Sequence, residues 1–385
     1  MIVAHVDLDA FFAAVEELEN PELRTKPLVV GGDPHGRGVV ATANYEARKF
    51  GIHSAMSCAE ALRRCPHAVF VRSRHSLYRE YSQAVWETIR GVVPTIERTG
   101  IDEGYLDVGE VASGFLQARG VAEAVQTAVL AATRLTCSLG VSTSKVVAKV
   151  ASDLRKPRGL TVVPAGTEAA FLAPFDVRRL PGVGPKAEER LIAAGVTTVG
   201  GLAALDDSDL RRLIPGSVGT LLRDRARGVD LRELELSSER ISISVENTFE
   251  RDLLDRDLLH DELRRMAARV AEHLSESGRT ARTVTTKLRY TDFSIRSRST
   301  SLRIGIDDSA EIGELACALL DRALQDRPGA LRLVGVGVSG LSDFRQLAFP
   351  AVSGDAAGHP PSEGSIARAS AVDSRAGGAS RSART

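Results

Sequence analysis

The spacing of apolar residues changes character twice along this chain, and those changes constrain its fold most strongly. Up to about residue 165, short apolar runs alternate with helix-length amphipathic segments. Residues 2–6, 27–30, 39–43, 68–71, 95–98, 105–108, 136–142 and 160–163 read as strands. Leu77, Tyr81, Val85 and Ile89 recur every four residues, which puts one apolar stripe on a helix over 75–90. Helices are also expected over 10–19, 115–135 and 143–154, and Ser57 with Glu60 forms a capping box for another. Such alternation buries a sheet under helices. Over 170–228 it stops, and short helical segments are broken by Pro and Gly with no strand between them. From 241 the order becomes β-α-β-β-α-β, able to form a four-stranded sheet with two helices on one face. The expected fold class is α+β, in several domains.

Charge and cysteine usage narrow the function. Lys+Arg and Asp+Glu both number 50, so the chain is no polycation, although a local basic groove remains open to it. The four cysteines form no CxxC pair, so a zinc site is not expected, and buried thiols in a reducing compartment are. The N-terminal segment has no basic n-region and meets Asp7, unlike a signal peptide. No apolar run approaches the roughly 20 residues of a membrane span. A soluble, cytoplasmic protein is expected. From Pro350 onward, 24 of 36 residues are Gly, Ala, Ser or Pro, a composition expected to be disordered.

Asp7 ends the first strand, and Asp102 with Glu103 sits at a turn between two others. Carboxylates at the ends of neighbouring strands can converge. Three together carry too much negative charge without a cation, and half-open, all-oxygen donors suit Mg²⁺. Two such ions, ~3.5–4 Å apart, form the clamp used in nucleotidyl transfer. Taken singly, each carboxylate is more often a helix cap or a solvated group. Asp9 is best explained as the N-cap of the following helix, and Asp107 as structural.

Thr42, Tyr45 and Arg48 are spaced by three, so a hydroxyl, a phenol and a guanidinium share one face. That set can hold a triphosphate, and equally can be a solvated helix face. Lys156 stands in a loop fixed by Pro157 and Gly159, and the helix start near Ala10–Phe12 offers N–H groups to phosphate oxygens. In LPGVGPKAEERLIAAG, Gly182, Gly184 and Lys186 have the form of a helix-hairpin-helix that grips DNA phosphate without reading bases. Residues 279–303 carry seven basic residues against one acid. There Lys287 and Arg289, and Arg296 and Arg298, alternate on strands, so each pair points one way. If helices cover the other face, a basic sheet surface suited to a nucleic-acid backbone results.

VDLDAFFAAVE, GVVATANYEARKFGI, IDEGYLDV, GVSTSKVVAKVASDLRKPRG and LPGVGPK occur in that order. Together they resemble the Y-family DNA polymerases, in the DinB or DNA polymerase IV branch, over about residues 1–345. The resemblance implies a right hand: palm 1–10 and 70–165, fingers 11–69, thumb 166–229, linker 230–240 and little finger 241–345. It implies Asp7, Asp102, Glu103 and the Leu8 carbonyl as ligands of two Mg²⁺ ions. Phe11 and Phe12 fall at the nucleotide, with Phe12 as a steric gate against a ribose 2′-hydroxyl. Thr42, Tyr45, Arg48 and Lys156 match triphosphate contacts, and Val39, Ala41, Ala55 and Met56 match the fingers surface over the nascent base pair. Gly104 departs from the pattern, which usually has Ala or another small residue there.

The implied activity is error-prone, translesion, DNA-directed DNA synthesis by a monomer, with primer–template DNA and dNTP as partners. A sliding clamp is a further implied partner through Gln346–Phe349, although this segment is one residue shorter than the usual Gln-Leu-x-Leu-Phe form. The alternative is a non-catalytic relative serving as an adaptor in a mutasome. Such relatives lack the carboxylates, and Asp7, Asp102 and Glu103 are all present.

Overall fold

The structure, a computed structural model, describes residues 1–236 and 239–343, so the expected clamp-binding segment and tail lie outside the described residues. The first part contains β1 (Val3–Leu8), α1 (Phe11–Glu19), β2 (Leu28–Gly31), β3 (Val40–Ala43), α2 (Tyr45–Arg48), α3 (Cys58–Arg64) and β4 (Val69–Arg72). There follow α4 (His75–Arg90), β5 (Ile96–Arg98), β6 (Glu103–Asp107), α5 (Phe115–Thr133), β7 (Cys137–Ser142), α6 (Lys145–Asp153) and β8 (Leu160–Val162). These strands make two sheets, a central one ordered β5-β6-β1-β7-β8 and a small one ordered β3-β2-β4.

The period of two along β1 sorts its side chains. Ala4, Val6 and Leu8 pack with Leu106, Leu139 and Val141 against Val85, Trp86 and Ile89 of α4 and Ala118, Ala122 and Val125 of α5. His5 and Asp7 therefore face the other way, under α6. That helix presses on the sheet because β7 has glycine beneath it. A Cβ on Gly140 would stand 2.1 Å from the Ala148 carbonyl oxygen and 2.4 Å from the Ser152 nitrogen, both backbone atoms. Gly140→Ala is expected to cost about 3 kcal/mol, the upper end for overpacking, measured by chemical denaturation.

The next segment is helical, with α7 (Glu168–Leu172), α8 (Pro185–Ala193), α9 (Val199–Ala204), α10 (Asp207–Leu213) and α11 (Ser217–Ala226). Leu172, Leu180, Leu191, Leu202 and Leu222 form its core together with Val146 and Val150 of α6. Beyond it, the polar connection is pinned rather than free. Leu234 packs on Val3, Tyr105 and Ala148, and the Glu235 N–H donates to Glu97 Oε2 at 2.9 Å. Glu97 is itself paired with the buried ammonium of Lys145.

The last part is β9 (Ser242–Leu253), α12 (Arg256–Ser277), β10 (Thr280–Tyr290), β11 (Ile295–Ile306), α13 (Ser309–Asp326) and β12 (Leu331–Ser342). It forms the expected four-stranded sheet, ordered β11-β10-β12-β9. Both helices pack through one core with Val284, Leu288, Val334, Val336 and Val338. Among the described residues, the four cysteines are buried free thiols and no helix is long and apolar enough to cross a membrane.

Two sequence expectations fail here for identifiable reasons. Asp9 is not the N-cap of α1; Ala10 holds that place, with φ 47° and no side-chain cap. The Asp9 carboxylate is turned inward, where Thr136 and Ser138 hydroxyls and the Arg158 N–H donate to it at 2.8, 2.7 and 2.9 Å. Nor do the two basic pairs share one sheet face. Arg296 lies opposite Leu288 and Arg298 opposite Thr286, whose hydroxyl donates to Ala316 of α13. Arg296 and Arg298 therefore flank the helix-covered side, and Arg298 pairs with Asp326 of α13. Lys287 and Arg289 are on the open side, with Lys287 paired to Glu246.

Candidate active site

The register of the central sheet builds the carboxylate cluster. Asp7 lies directly opposite Glu103, and His5 opposite Tyr105, all on the α6 face. Asp102 is brought in by the backbone, because the Leu8 N–H donates to the Asp102 carbonyl at 3.0 Å. α6 then lowers Lys149 between the strands, where its ammonium is 3.2 Å from Asp7 Oδ2 and also paired with Glu103. Lys156 reaches Asp7 Oδ1 at 2.7 Å from the loop after α6, and Asp153 at the same distance. His5 is buried, with Nδ1 2.9 Å from Ser152 Oγ and Nε2 3.7 Å from Glu103.

These contacts set the charge state. Burial alone would raise the Asp7 carboxyl, but Lys156 and Lys149 outweigh it and hold it below its ordinary range. Asp102 makes no ion pair among the described residues, so burial, then repulsion from Asp7 and Glu103, push it up to about 6. Burial and the nearby Lys149 drive the His5 pKa well down, so its ring is neutral. Three clustered carboxylates, with Lys149 and Lys156 bearing on two of them, leave one carboxyl short of positive charge. Their oxygen donors fit a hard divalent cation. Among the described residues no group of three or more His, Cys, Asp or Glu side chains is placed to hold a metal ion as they stand, because Lys149 occupies the space between Asp7 and Glu103.

A cleft of about 170 Å³ joins this cluster to the phosphate candidates. Asp7 and Asp102 share its walls with Thr42, Arg48 and Lys156, and with Leu8 and Phe11. Thr42 comes from the end of β3 rather than from the helix, and Arg48 is positioned by donating from Nε to the Ala43 carbonyl at 2.9 Å. Tyr45 lines an adjoining cleft of about 560 Å³ that meets the first at Ala10. Among the described residues its hydroxyl is buried without a hydrogen-bond partner, and burial, then the charge of Asp9, push its pKa up to about 12.

The adjacent phenylalanines divide as successive helix positions must. Phe11 is 1% exposed and belongs to the core, while Phe12 is half-buried. Phe12 stacks on Tyr78 with ring centroids 4.2 Å apart and an interplanar angle of 15°. Tyr78 in turn donates to Glu16, which Arg74 also grips. Gly104 has its own reason. A Cβ there would meet the Glu97 carbonyl at 2.5 Å and the Trp86 ring at 2.7 Å, so the indole occupies the space an alanine would need. In the helical segment, Gly182 has φ +105°, and a Cβ on Gly184 would meet no atom within 4 Å, which leaves the backbone before α8 open. Lys186 follows in the first turn of α8.

Lys149, Glu97 and Lys145 are the residues that sequence reasoning missed. The available signal was their spacing: Lys145 and Lys149 are four apart on a helix that is Val and Ala apart from Ser152 and Asp153 at its end, so both project from one stripe.

The impB/mucB/samB family matches residues 6–153, its C-terminal domain residues 240–349, and its HHH motif residues 166–196. The DNA polymerase IV of Streptomyces coelicolor is 43% identical over 365 residues, spanning 94% of this chain and 75% of that protein. The DNA polymerase IV of Halorhodospira halophila is 43% identical over 88% of this chain and 95% of its own length. Among solved structures, a Y-family DNA polymerase chimera of Dbh and Dpo4 superposes with a TM-score of 0.82 at 28% identity, covering 89% of this chain and 99% of that one. An insertion ternary complex of Dbh DNA polymerase gives 0.63 at 28% identity, over 88% and 98%. The fold is accordingly a polymerase right hand, with the central sheet as palm, the small sheet in the fingers, a helix-hairpin-helix thumb and the C-terminal sheet as little finger. The chain belongs to the impB/mucB/samB family, the Y-family DNA polymerases, in the DNA polymerase IV branch.

Proposed function

We propose that this chain extends a DNA primer by template-directed addition of dNTPs, including across damaged bases. The observation that carries the reading is the cleft that Asp7 and Asp102 share with Thr42, Arg48 and Lys156, with Glu103 opposite Asp7 in the sheet. Divalent-metal dependence comes with membership of the family; Mg²⁺, as two ions, is the proposed identity. Asp7, Asp102, Glu103 and the Leu8 carbonyl would hold them. The chemistry they supply when bound is activation of the primer 3′-hydroxyl and neutralisation of the departing pyrophosphate. Arg48 and Lys156 orient the triphosphate by charge, and Thr42 and Tyr45 by hydroxyl hydrogen bonds. Phe12 supports the sugar from the side that a 2′-hydroxyl would occupy. Over the base pair the fingers would present Val39, Ala41 and Ala55, small side chains that discriminate weakly against distorted pairs, while Met56 is buried in the core beneath them. Primer extension opposite undamaged and abasic templates tests this: extension of both supports the reading, and extension of neither defeats it.

DNA is gripped by the thumb hairpin around Gly182 and Gly184, with Lys186, and by the open face of the little finger. Arg289 is on that face, opposite Ile295. Arg289→Ala is expected to flatten the slope of log affinity against log salt by about 0.9, one phosphate contact. Arg298→Ala should leave it unchanged, because that guanidinium is paired with Asp326. Binding titrations at several salt concentrations check both, and a flattened slope for Arg298→Ala alone would reverse the assignment.

A further inference from the structure

We propose that Phe293 is a stacking platform for an unpaired base of the template strand. This rests on the polymerase reading above and adds to it a contact outside the active-site cleft. Phe293 forms the tip of the hairpin between β10 and β11, with φ +65° and 60% of its surface exposed. A bulky side chain rarely takes that backbone conformation, and glycine or asparagine would take it more cheaply. The tip is nonetheless braced in this form. The Phe293 N–H donates to the Tyr290 carbonyl at 3.0 Å, and the Tyr290 N–H to the Ser294 carbonyl at 3.0 Å. The Ser294 N–H and hydroxyl both donate to Asp292 Oδ1, at 3.0 and 2.6 Å. Arg327, just past α13, donates to Asp292 Oδ2 at 2.9 Å and lies 4.2 Å from the Tyr290 ring centroid. The hairpin is thus built to hold an aromatic ring outward. The Arg332 guanidinium lies 4.6 Å from the centroid of that ring. An exposed ring beside a cation offers a face to a base and a charge to its phosphate.

The place of the tip in the fold selects the ligand. Tyr290 pairs with Leu331, and Leu331 with Leu253, so the tip, the start of β12 and the end of β9 share one end of the sheet. That same end meets the fingers. Arg37, in the loop between β2 and β3, donates to the Phe249 carbonyl at 3.2 Å and pairs with Asp252. On the polymerase reading, a template strand entering between the fingers and the little finger would pass this end before it is paired.

The test is equilibrium binding of the full chain to primer–templates with 5′ template overhangs of zero to four nucleotides. The wild type is expected to bind the overhang substrates on the order of tenfold more tightly than blunt duplex. Phe293→Ala should lose that gain and keep blunt-duplex affinity. Phe293→Gly, which takes φ +65° without strain, should do the same, and Phe293→Trp should restore it. An overhang of abasic residues should give the wild type no advantage. An overhang preference equal in wild type and Phe293→Ala, as for a ring that docks a protein, would overturn the proposal. So would a preference that survives abasic substitution, which would assign the contact to phosphates. Failure of the wild type to bind any primer–template would instead overturn the polymerase reading itself.

Discussion

Alanine at Asp102 or Glu103 is expected to abolish primer extension, by at least about a thousandfold in rate or ~4 kcal/mol, while primer–template affinity stays within a few-fold of wild type. The two effects separate because the carboxylates and the DNA grip are on different parts of the hand. Asp102 lines the cleft shared with Thr42, Arg48 and Lys156, and Glu103 lies opposite Asp7 in the sheet, whereas the thumb hairpin and the little-finger sheet carry the proposed phosphate contacts. Neither substitution empties the core. Asp102 makes no ion pair among the described residues, and Glu103 is about one-third exposed, at 34%. Glu103→Ala frees Lys149 to bind Asp7 alone, so the protein should remain folded. Rapid-quench extension and binding titrations measure the two quantities. Extension by either variant at near wild-type rate would remove these residues from the chemistry.

Phe12→Ala is expected to raise ribonucleotide incorporation relative to deoxyribonucleotide by tenfold or more, at least ~1.4 kcal/mol in discrimination. Phe11 borders the cleft, but it is almost fully buried and its ring fills the core. The Phe12 ring is held in place by the stack on Tyr78 and by the Glu16 and Arg74 contacts behind it. Tyr78→Leu should therefore move discrimination in the same direction by a smaller factor. The measurement is kcat/KM for ATP against dATP opposite template thymine. A wild type that takes both equally, or an opening produced by Phe11→Ala instead, would contradict the gate.

Much of the hand was legible because its local signals agree with its tertiary contacts. The four-residue spacing from Leu77 to Ile89 became α4, and the final β-α-β-β-α-β order became the little-finger sheet. Asp7 and the Asp102-Glu103 pair were readable as strand-end carboxylates, since antiparallel pairing of β1 with β6 opposes them. What escaped depended on partners distant in sequence. Asp9 has the spacing of a cap, but Thr136, Ser138 and Arg158 outbid the helix for its oxygens. Lys149 meets Asp7 only through the packing of α6 on β1, across 142 residues of sequence. Strand parity showed that Arg296 and Arg298 point together, but not that α13 offers Asp326 on their side. The departure at Gly104 became explicable only with Trp86 in place beside it.

The most direct test of template-directed synthesis is single-nucleotide insertion on four primer–templates that differ only in the templating base, each offered all four dNTPs separately with Mg²⁺. The complementary dNTP is expected to be inserted preferentially on every template by the wild type, and none measurably by Asp7→Ala. Insertion indifferent to the templating base, or no insertion by the wild type on any template, would contradict the account.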